Sequence, residues 1–423
     1  MNLKVRPSLL NGSIAVSGSK SHTIRAVVCA LAATGKSIVR APLESADTRA
    51  ALEAAKLFGA KVTEHPGVWE IEGCGGKLRD PGKTVDMMNS GTGLRLMTGL
   101  AALQDFPVTF DGDESLRTRK MGSLLEALKN LGAKVDCANG RAPFTVQGPL
   151  TGGATTIDGT SSQFLSSLLF ALPLVQGDTE ISLEFLLEQP YVGITLDWLK
   201  AAGVTVTPDG EWLNWKIKGN QTYKALDRTI PADFSTAAFP LVAGMLSGKS
   251  IEIRNLDFND PQGDKLVFEF AKQMGAAIIR GKELTVNNSG KLKGVTLDLN
   301  STPDALPILA VAAAFAEGTT HLVNVRQARL KETDRIAVMA KELKKLKVNV
   351  TELEDGLIIE GGKISGGVVE SYGDHRIAMA FAVAGTALAP GEELIIRDAE
   401  CAGVSYPDFI KDFKALGADF TEL

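Results

Sequence analysis

A polar cluster recurs about every 70 residues along this chain, each time directly before an apolar run that is rich in small residues. The six clusters are centred on Ser21, Gly91, Ser162, Asp233, Asp304 and Asp374. Each run is apolar nearly all round, which predicts a buried helix. The N-terminus of a buried helix carries free N–H groups and a partial positive charge. Such ends predict a binding surface for anions if the fold directs them to one place.

A second repeat runs in phase with the first and consists of an amphipathic helix, a residue suited to end it, and a strand that opens a short hairpin. The helix-ending residues are Gly59, Gly132, Gly203, Gly275 and Gly417, with Lys347 in the fifth copy. Glycine suits the left-handed residue that follows a helix. We therefore expect strain at Lys347, of about 1 kcal/mol, if this residue adopts a positive φ.

The sixth copy lacks the second strand of its hairpin, whereas Leu3–Arg6 predicts a strand that has no repeat of its own. The economical inference is that this N-terminal strand completes the sixth repeat. The sequence thus predicts a mixed α/β (α+β) fold with two similar lobes of three repeats each, in which sheets wrap a core of buried helices. We expect the N-terminal lobe to span 18–230 and the C-terminal lobe to comprise 1–17 with 231–423.

The composition excludes several classes of protein. With 44% hydrophobic residues, 22% charged residues and a net charge of −5, the chain resembles an ordinary globular protein without the basic field that suggests nucleic acid. Four cysteines without CxxC spacing and four histidines without metal spacing argue against a disulfide framework and against a metal enzyme. We see no signal peptide and no apolar run long enough to span a membrane, so we expect a cytoplasmic protein.

The clusters of the first half offer cations and hydroxyls at predicted helix starts. Lys20, Ser21 and Arg25 could capture a phosphate or carboxylate, although a plain serine cap beside a surface lysine is the alternative. Residues 89–93 (NSGTG) with Arg95 would let a ligand approach the backbone closely, and a capped loop is again the alternative. Directly before the third apolar run lie Ser161, Ser162 and Gln163, whose hydroxyl and amide groups are suited to orienting a substrate.

The second half supplies the carboxylates. Asp304, like Asp233, could accept a proton from a substrate hydroxyl, but each is equally a good helix N-cap. Lys331 and Arg335 would share one helix face at i, i+4, either as an anion site or as a salt-bridged solvent face. Residues 374–376 (DHR) precede the sixth apolar run, where Arg376 is of the type that binds carboxylates in a bidentate manner and the histidine could be purely structural. Together the clusters suit a reaction between two multiply anionic small molecules.

At this point the chain resembles the EPSP synthases, a family of enolpyruvyl transferases. The motifs that carry the resemblance occur in the family's order along nearly the whole chain: GSKSxxxR, NSGTxxR, SLRxR, SSQF, PYxxIT, PDA, KETDR, DHR and SYPDF. The resemblance implies two lobes of three βαβαββ units each, similar to an inverse α/β barrel. It also implies transfer of the enolpyruvyl group of phosphoenolpyruvate to the 5-hydroxyl of shikimate 3-phosphate, through a tetrahedral intermediate and without a metal or organic cofactor. This is a step of aromatic amino acid biosynthesis.

The resemblance also implies roles for individual residues. Shikimate 3-phosphate would be bound by Lys20, Ser21, Arg25, Ser161, Ser162, Gln163, Tyr191, Asp304, Gln327 and Lys331. Phosphoenolpyruvate would be bound by Lys20, Asn89, Gly91, Thr92, Arg119, Gln163, Arg335 and Arg376. Asp304 would take the hydroxyl proton, Glu332 and Lys20 would transfer protons, and closure of the lobes would exclude water.

Three positions depart from the family's pattern. Val404 stands where the family usually has a lysine that helps to hold phosphoenolpyruvate, and Glu188 replaces a serine that helps to hold the substrate phosphate. Lys120 follows Arg119 where proline is common. One hypothesis is that Lys120 supplies the positive charge that Val404 does not.

Two alternatives to this activity stay open from the sequence. The sister enolpyruvyl transferase that acts on UDP-N-acetylglucosamine shares the fold but usually carries a reactive cysteine in the loop that reads SLRTRKM here. A protein that kept the fold for binding and lost turnover is the other alternative, which the departures at Val404 and Glu188 support. The expected partners are the two small-molecule substrates, with no nucleic acid and no membrane, and the expected state is a monomer.

Overall fold

The computed structural model describes residues 1–281, 283–362 and 364–423. The chain forms two compact lobes: the N-terminal lobe is Gly18–Ile230, and the C-terminal lobe combines Met1–Ser17 with Pro231–Leu423. Helices and strands alternate in both lobes, so the predicted α/β class is confirmed. No helix within the described ranges is both long enough and apolar enough to cross a membrane.

The chain begins with two strands of the C-terminal lobe, β1 (Leu3–Arg6) and β2 (Leu10–Ala15). The strands of the N-terminal lobe are β3 (Ala33–Thr34), β4 (Lys36–Arg40), β5 (Lys61–His65), β6 (Val68–Glu72), β7 (Val85–Asp86), β8 (Val108–Asp111), β9 (Lys134–Asp136), β10 (Phe144–Gln147), β11 (Gly153–Thr156), β12 (Thr179–Ser182), β13 (Thr207–Pro208), β14 (Asn214–Ile217), β15 (Tyr223–Lys224) and β16 (Asp227–Thr229). Its helices are α1 (Lys20–Ala32), α2 (Ala46–Leu57), α3 (Gly91–Ala101), α4 (Glu114–Arg117), α5 (Gly122–Asn130), α6 (Ser162–Ala171) and α7 (Gln189–Ala201).

The remaining strands of the C-terminal lobe are β17 (Gly248–Arg254), β18 (Ala277–Arg280), β19 (Leu284–Asn287), β20 (Thr296–Asp298), β21 (Thr319–Val323), β22 (Asn349–Leu353), β23 (Gly356–Glu360), β24 (Gly367–Glu370), β25 (Leu394–Arg397) and β26 (Asp419–Glu422). Its helices are α8 (Phe234–Ser247), α9 (Val267–Gln273), α10 (Leu306–Phe315), α11 (Arg335–Lys345), α12 (His375–Thr386) and α13 (Phe409–Ala415). Short 3-10 turns cover Gly263–Leu266, Pro303–Ala305, Arg326–Leu330 and Ala399–Val404.

One sheet pattern recurs through both lobes. Across the described residues, six four-stranded sheets each consist of a parallel pair followed by two antiparallel neighbours, as in the order β7-β8-β10-β9. In the sheet β24-β25-β1-β26, the first strand of the chain lies between two late ones, with Leu3 opposite both Ile396 and Glu422. The sixth repeat therefore obtains its missing strand from the start of the chain.

The six apolar runs form the buried helices. In the N-terminal lobe these are α1, α3 and α6, and in the C-terminal lobe α8, α10 and α12, with nearly every residue buried. Small residues let neighbouring helices approach closely, because a Cβ on Gly99 of α3 would lie only 2.6 Å from the carbonyl oxygen of Ser167 of α6. The small-residue content of the runs is thus a packing requirement.

The helix-ending positions behave as the repeat predicts. Gly59 has φ +104° and Gly417 has φ +103°, in the region that glycine occupies without steric cost. Lys347 adopts φ +66° in the fifth copy, so the strained conformation expected at this residue is present.

Candidate active site

The buried helices of the N-terminal lobe begin with serine caps. The hydroxyl oxygens of Ser19, Ser90 and Ser161 accept hydrogen bonds from backbone N–H groups in the first turns of α1, α3 and α6. The cap of α1 is Ser19, so the plain serine cap considered as the alternative is present, and Ser21 lies inside the helix. Lys20 is not a surface lysine either, because its Nζ lies 3.0 Å from the carboxylate of Asp47, which is almost fully buried.

Arg25 connects α1 with α7. Its Nε donates to the Thr195 hydroxyl at 2.8 Å, and its two terminal nitrogens donate to the carbonyl oxygens of Ser21 and Tyr191, both at 3.1 Å. Burial lowers the pKa of the Arg25 guanidinium to about 10, which still leaves it protonated at neutral pH. A buried cation needs hydrogen-bond partners, and the partners of Arg25 are these three neutral oxygens. The role of Arg25 in binding substrate stays a prediction.

Two further guanidinium groups converge on the first residue of α3. A Cβ on Gly91 would lie 2.7 Å from Nη1 of Arg119 and 3.3 Å from Nη1 of Arg95. Arg119 donates to the Asn89 side chain at 2.6 Å, and Arg95 donates to the Gln163 side chain at 2.6 Å. Two cations beside a helix N-terminus form an arrangement that attracts a small anion. Sequence reasoning noticed Arg95 in its motif but gave it no role.

Ser162 and Glu188 form a contact that the sequence did not reveal. The Ser162 hydroxyl, at the first residue of α6, donates to the Glu188 carboxylate at 2.9 Å, and Glu188 is 2% exposed. Glu188 precedes α7 with φ +57° and does not cap that helix through its side chain. Thr92 lies in the first turn of α3, and the Tyr191 side chain is half-buried near the start of α7.

The C-terminal lobe gathers its predicted residues around Arg335. This arginine is 1% exposed and donates to the carboxylates of Asp374 and Asp304 at 2.8 Å and of Glu332 at 2.7 Å. Arg376 lies 2.9 Å from the second oxygen of Asp304. One buried cluster therefore contains two arginines and three carboxylates, drawn from α11, α12, the turns that precede these two helices, and the 3-10 turn Pro303–Ala305.

Lys331 completes the cluster at 3.8 Å from Asp304. Burial alone would raise the pKa of the Asp304 carboxyl, but the surrounding cations, Arg376 foremost, hold this pKa well below its usual range. Burial alone would lower the pKa of Arg335, but the three carboxylates outweigh that effect and raise it. The cluster can bind anions and holds a carboxylate that becomes a stronger base if its cations are engaged elsewhere.

Two local predictions in this region are wrong. Lys331 and Arg335 do not share a helix, because α11 begins at Arg335, where the Asp334 carboxylate caps it by accepting from the Ala337 N–H at 3.0 Å. The interpretation of Asp304 as an N-cap is also wrong, since this residue lies in the 3-10 turn Pro303–Ala305 and its carboxylate pairs with cations. Asp233, in contrast, is an ordinary cap that accepts from the Ser235 N–H.

Asp374 is the member of this cluster to which the sequence analysis assigned no role. It caps α12 by accepting from the Arg376 N–H at 2.9 Å, and the same carboxylate holds Arg335 and the Thr333 hydroxyl. The available signal was an acid placed directly before two basic residues at the start of a buried helix. Gln327 is buried and donates to the carbonyl oxygen of Asn300 at 3.0 Å, so it braces the turn before the cluster.

The family model of EPSP synthase (3-phosphoshikimate 1-carboxyvinyltransferase) matches residues 5–413 of the chain. The chain belongs to the EPSP synthase family. A relative from Acetivibrio thermocellus named 3-phosphoshikimate 1-carboxyvinyltransferase is 45% identical over 424 residues, covering 100% of this chain and 99% of the relative. A relative of the same name from Methanosarcina acetivorans is 42% identical over 432 residues, covering 100% and 99% respectively.

A solved structure of the EPSP synthase from Acinetobacter baumannii is similar to this chain with a TM-score of 0.82 and 29% identity, covering 100% of both chains. The two-lobe α/β fold expected from the resemblance is therefore confirmed. The match to the EPSP synthase family also favours the main interpretation over the sister transferase and over a binding protein without turnover.

Proposed function

We propose that this protein transfers the enolpyruvyl group of phosphoenolpyruvate to the 5-hydroxyl of shikimate 3-phosphate and releases inorganic phosphate. The observation that carries the proposal is the cluster in which Arg335 and Arg376 both hold the Asp304 carboxylate, at 2.8 and 2.9 Å. Two arginines are suited to an incoming carboxylate or phosphate, and the carboxylate that such an anion displaces from them can then accept a proton.

The reaction makes three chemical demands. The attacking hydroxyl must lose a proton, the vinyl carbon must gain one, and the cationic centre that forms in between must be stabilised. Asp304 would take the hydroxyl proton, Glu332 and Lys20 would transfer the proton to carbon, and neighbouring carboxylates would stabilise the positive charge. The proposed route needs no metal or organic cofactor.

The basicity of Asp304 depends on whether Arg335 and Arg376 hold its carboxylate. As the structure stands, its cations hold the pKa of the Asp304 carboxyl so low that it would be a weak base. The anionic groups of phosphoenolpyruvate compete with Asp304 for Arg335 and Arg376, and each contact that they take over raises the pKa of Asp304. Binding of the second substrate would thereby activate the base for the first.

The N-terminal lobe would supply most of the binding groups. Lys20, Ser21, Arg25, Ser161, Ser162, Gln163 and Tyr191 would hold shikimate 3-phosphate, together with Asp304, Gln327 and Lys331 of the C-terminal lobe. Asn89, Gly91, Thr92 and Arg119 would hold phosphoenolpyruvate, together with Lys20 and Gln163 and with Arg335 and Arg376 of the C-terminal lobe. Arg25 donates to the Thr195 hydroxyl and Arg119 donates to the Asn89 side chain, and hydrogen bonds to such neutral oxygens do not by themselves cancel a positive charge. We also propose that the protein works as a monomer in the cytoplasm.

Phosphate release tests the activity directly. The purified chain is incubated with phosphoenolpyruvate, with shikimate 3-phosphate, and with both, and phosphate is measured along with the mass of the organic product. Release that requires both substrates and yields the enolpyruvyl adduct supports the proposal. Release with UDP-N-acetylglucosamine in place of shikimate 3-phosphate would contradict the substrate, and binding of both substrates without any release would indicate a binding protein.

A matched pair of variants tests the assigned base. Asp304→Asn keeps the shape of the side chain but cannot accept a proton, so kcat should fall about 10²- to 10⁴-fold. Asp334→Asn removes a carboxylate 30 positions away in sequence, and within the part of the chain that the structure describes this carboxylate caps α11 and pairs with Arg329; asparagine caps equally well. The expected kcat of Asp334→Asn is within about threefold of wild type. Equal losses in both variants would show that the effect is structural.

A further inference from the structure

Helix α11 carries a second buried charge besides Arg335, the carboxylate of Glu342. The two residues are seven positions apart, which is close to two helical turns, so they lie on one face of the helix about 10 Å apart along its axis. The Glu342 carboxylate accepts hydrogen bonds from the Tyr372 hydroxyl at 2.8 Å and from the Glu370 backbone N–H at 3.0 Å. It also accepts from the Lys345 ammonium at 2.7 Å. Glu342 therefore holds the segment that connects β24 with α12.

This connecting segment turns through two consecutive residues with a left-handed backbone. Tyr372 has φ +56° and Gly373 has φ +70°. Glycine adopts such a conformation freely, whereas tyrosine keeps it only where its surroundings impose it. On one side the Tyr372 hydroxyl is bound to Glu342, and on the other the Ser371 hydroxyl donates to the carbonyl oxygen of Asp398 at 3.1 Å. The course of the chain just before α12 is thus set by contacts with α11 and with the residues that follow β25.

The same segment ends at Asp374, which pairs with the first residue of α11. The Asp374 carboxylate accepts from Nε of Arg335 at 2.8 Å, and Nη1 of Arg335 donates to Asp304 at 2.8 Å. The segment is therefore attached to α11 at two places, at Arg335 and two turns later at Glu342. Two attachments fix the orientation of the segment along the helix, whereas one would leave it able to pivot. Loss of the contact at Glu342 would let the Asp374 carboxylate shift against the guanidinium.

We propose that Glu342 and Tyr372 are positioning residues for the charged cluster. Their hydrogen bond holds Asp374 in place against Arg335, and this pairing sets the orientation in which Arg335 holds Asp304. The inference rests on the proposed function, in which Arg335 binds phosphoenolpyruvate and Asp304 accepts the hydroxyl proton. Glu342 and Tyr372 act through Asp374 and not on a substrate. The contribution of Glu342 comes from its hydrogen bonds and not from its charge.

Removal of one hydroxyl tests the hydrogen bond. Tyr372 is 40% exposed, and phenylalanine keeps the ring over which the Lys341 ammonium lies at 5.1 Å, so Tyr372→Phe leaves the core intact. We expect kcat for phosphate release to fall about tenfold while KM for shikimate 3-phosphate stays within about twofold of wild type. Tyr223→Phe is the matched control, because it removes a buried hydroxyl that donates to the Phe170 carbonyl oxygen at 2.7 Å in the N-terminal lobe. This control should keep kcat within about twofold even if its Tm falls.

Two variants of Glu342 separate hydrogen bonding from charge. Glu342→Gln can keep both contacts, because its amide oxygen can accept from the Glu370 N–H while its amide nitrogen donates to the Tyr372 oxygen. It should therefore keep kcat within about threefold of wild type. Glu342→Leu fills a similar volume but accepts no hydrogen bond, so it should lose at least as much kcat as Tyr372→Phe. Equal losses in Glu342→Gln and Glu342→Leu would show that the charge acts, and would overturn the proposal.

A double-mutant cycle with Asp374→Asn tests whether Tyr372 acts through Asp374. The tenfold loss caused by Tyr372→Phe should shrink to less than about twofold when Asp374→Asn is already present, because coupled residues do not contribute additively. The same loss in both backgrounds, an unchanged kcat in Tyr372→Phe, or a similar loss in Tyr223→Phe would each overturn the inference.

Failure of the proposed function would look different, because wild type itself would then release no phosphate. Urea unfolding of the four proteins of the cycle still decides the coupling in that case. We expect Tyr372→Phe to lower the free energy of unfolding less in the Asp374→Asn background than in wild type. Equal reductions in both backgrounds would reject a link between Tyr372 and Asp374.

Discussion

Replacing Gly91 by alanine should weaken phosphoenolpyruvate binding while leaving the fold intact. The added Cβ would lie 2.7 Å from Nη1 of Arg119, so the guanidinium must retreat by about 0.7 Å to reach the 3.4 Å of ordinary contact. The backbone of Gly91 has no positive φ that would oppose a side chain, and the obstructing atom is the end of a flexible side chain. Alanine also favours the helix over glycine by about 0.5–1 kcal/mol.

The expected rise in KM for phosphoenolpyruvate follows from the hydrogen bond that Arg119 would lose. Its 2.6 Å hydrogen bond to Asn89 fixes the guanidinium, and a hydrogen bond to a charged group contributes about 1.5–3 kcal/mol. A loss of this size in the contact with an anion corresponds to roughly a 10- to 100-fold rise in KM for phosphoenolpyruvate. If Arg119 binds the ground state and the transition state equally, kcat should change by less than about threefold.

Steady-state phosphate release at saturating shikimate 3-phosphate, with thermal unfolding alongside, measures both parts of this prediction. Gly122→Ala is the matched control, because a Cβ at this first residue of α5 meets only the Gly140 Cα at 4.0 Å. The control should keep the KM of wild type. An unchanged KM in Gly91→Ala would refute the assignment of Arg119 to phosphoenolpyruvate, and a clear drop in Tm would refute the claim that the guanidinium alone moves.

Three further outcomes are expected. Gly91→Ala should also weaken inhibition by glyphosate, an inhibitor that the resemblance to the EPSP synthases implies and that we expect to bind beside Gly91, so equal inhibition of variant and wild type would reject this. Asp374→Asn should lower the free energy of unfolding by about 3 kcal/mol, because it removes the most deeply buried of the three carboxylates that pair with Arg335, and urea unfolding measures this. Val404→Lys should lower KM for phosphoenolpyruvate and Lys120→Pro should raise it, whereas an unchanged KM in Lys120→Pro would end the idea that Lys120 compensates for Val404.

The sequence was informative wherever a local pattern decides the structure. The apolar runs and the helix-ending positions, Lys347 included, depend on residues within one turn or one hairpin, and the corresponding helices and turns are present. The short helix α4 and the 3-10 turns were not predicted, because segments of three to six residues carry too little periodicity. The start of α11 was misjudged because Asp334 was taken as one of the four charges in residues 331–335 (KETDR), although its position before Arg335 makes it a cap.

The candidate site could be predicted only in part, because its contacts join residues far apart in sequence. The pairing of Arg335 with Asp374 spans 39 positions and that of Ser162 with Glu188 spans 26. A pattern of residue types predicts that cations and carboxylates are present near a helix start, but it does not say which cation meets which carboxylate. That choice decides whether an aspartate is a cap, as at Asp233, or part of a charged cluster.

Arg119 of the N-terminal lobe and Arg335 of the C-terminal lobe donate to different kinds of acceptor, which suggests different roles. Arg119 donates to an amide and a hydroxyl oxygen, and such neutral acceptors do not cancel the charge that attracts an anion. Arg335 instead donates to carboxylates, so an anion can bind it only by exchange, and each exchange changes the basicity of the carboxylate that is released. We therefore infer that substitutions around Arg119 change mainly KM, whereas substitutions around Arg335 change kcat and its pH dependence. Parallel pH profiles of kcat for Asp304→Asn and wild type would contradict this division, since the profile of wild type should report the proton that Asp304 accepts.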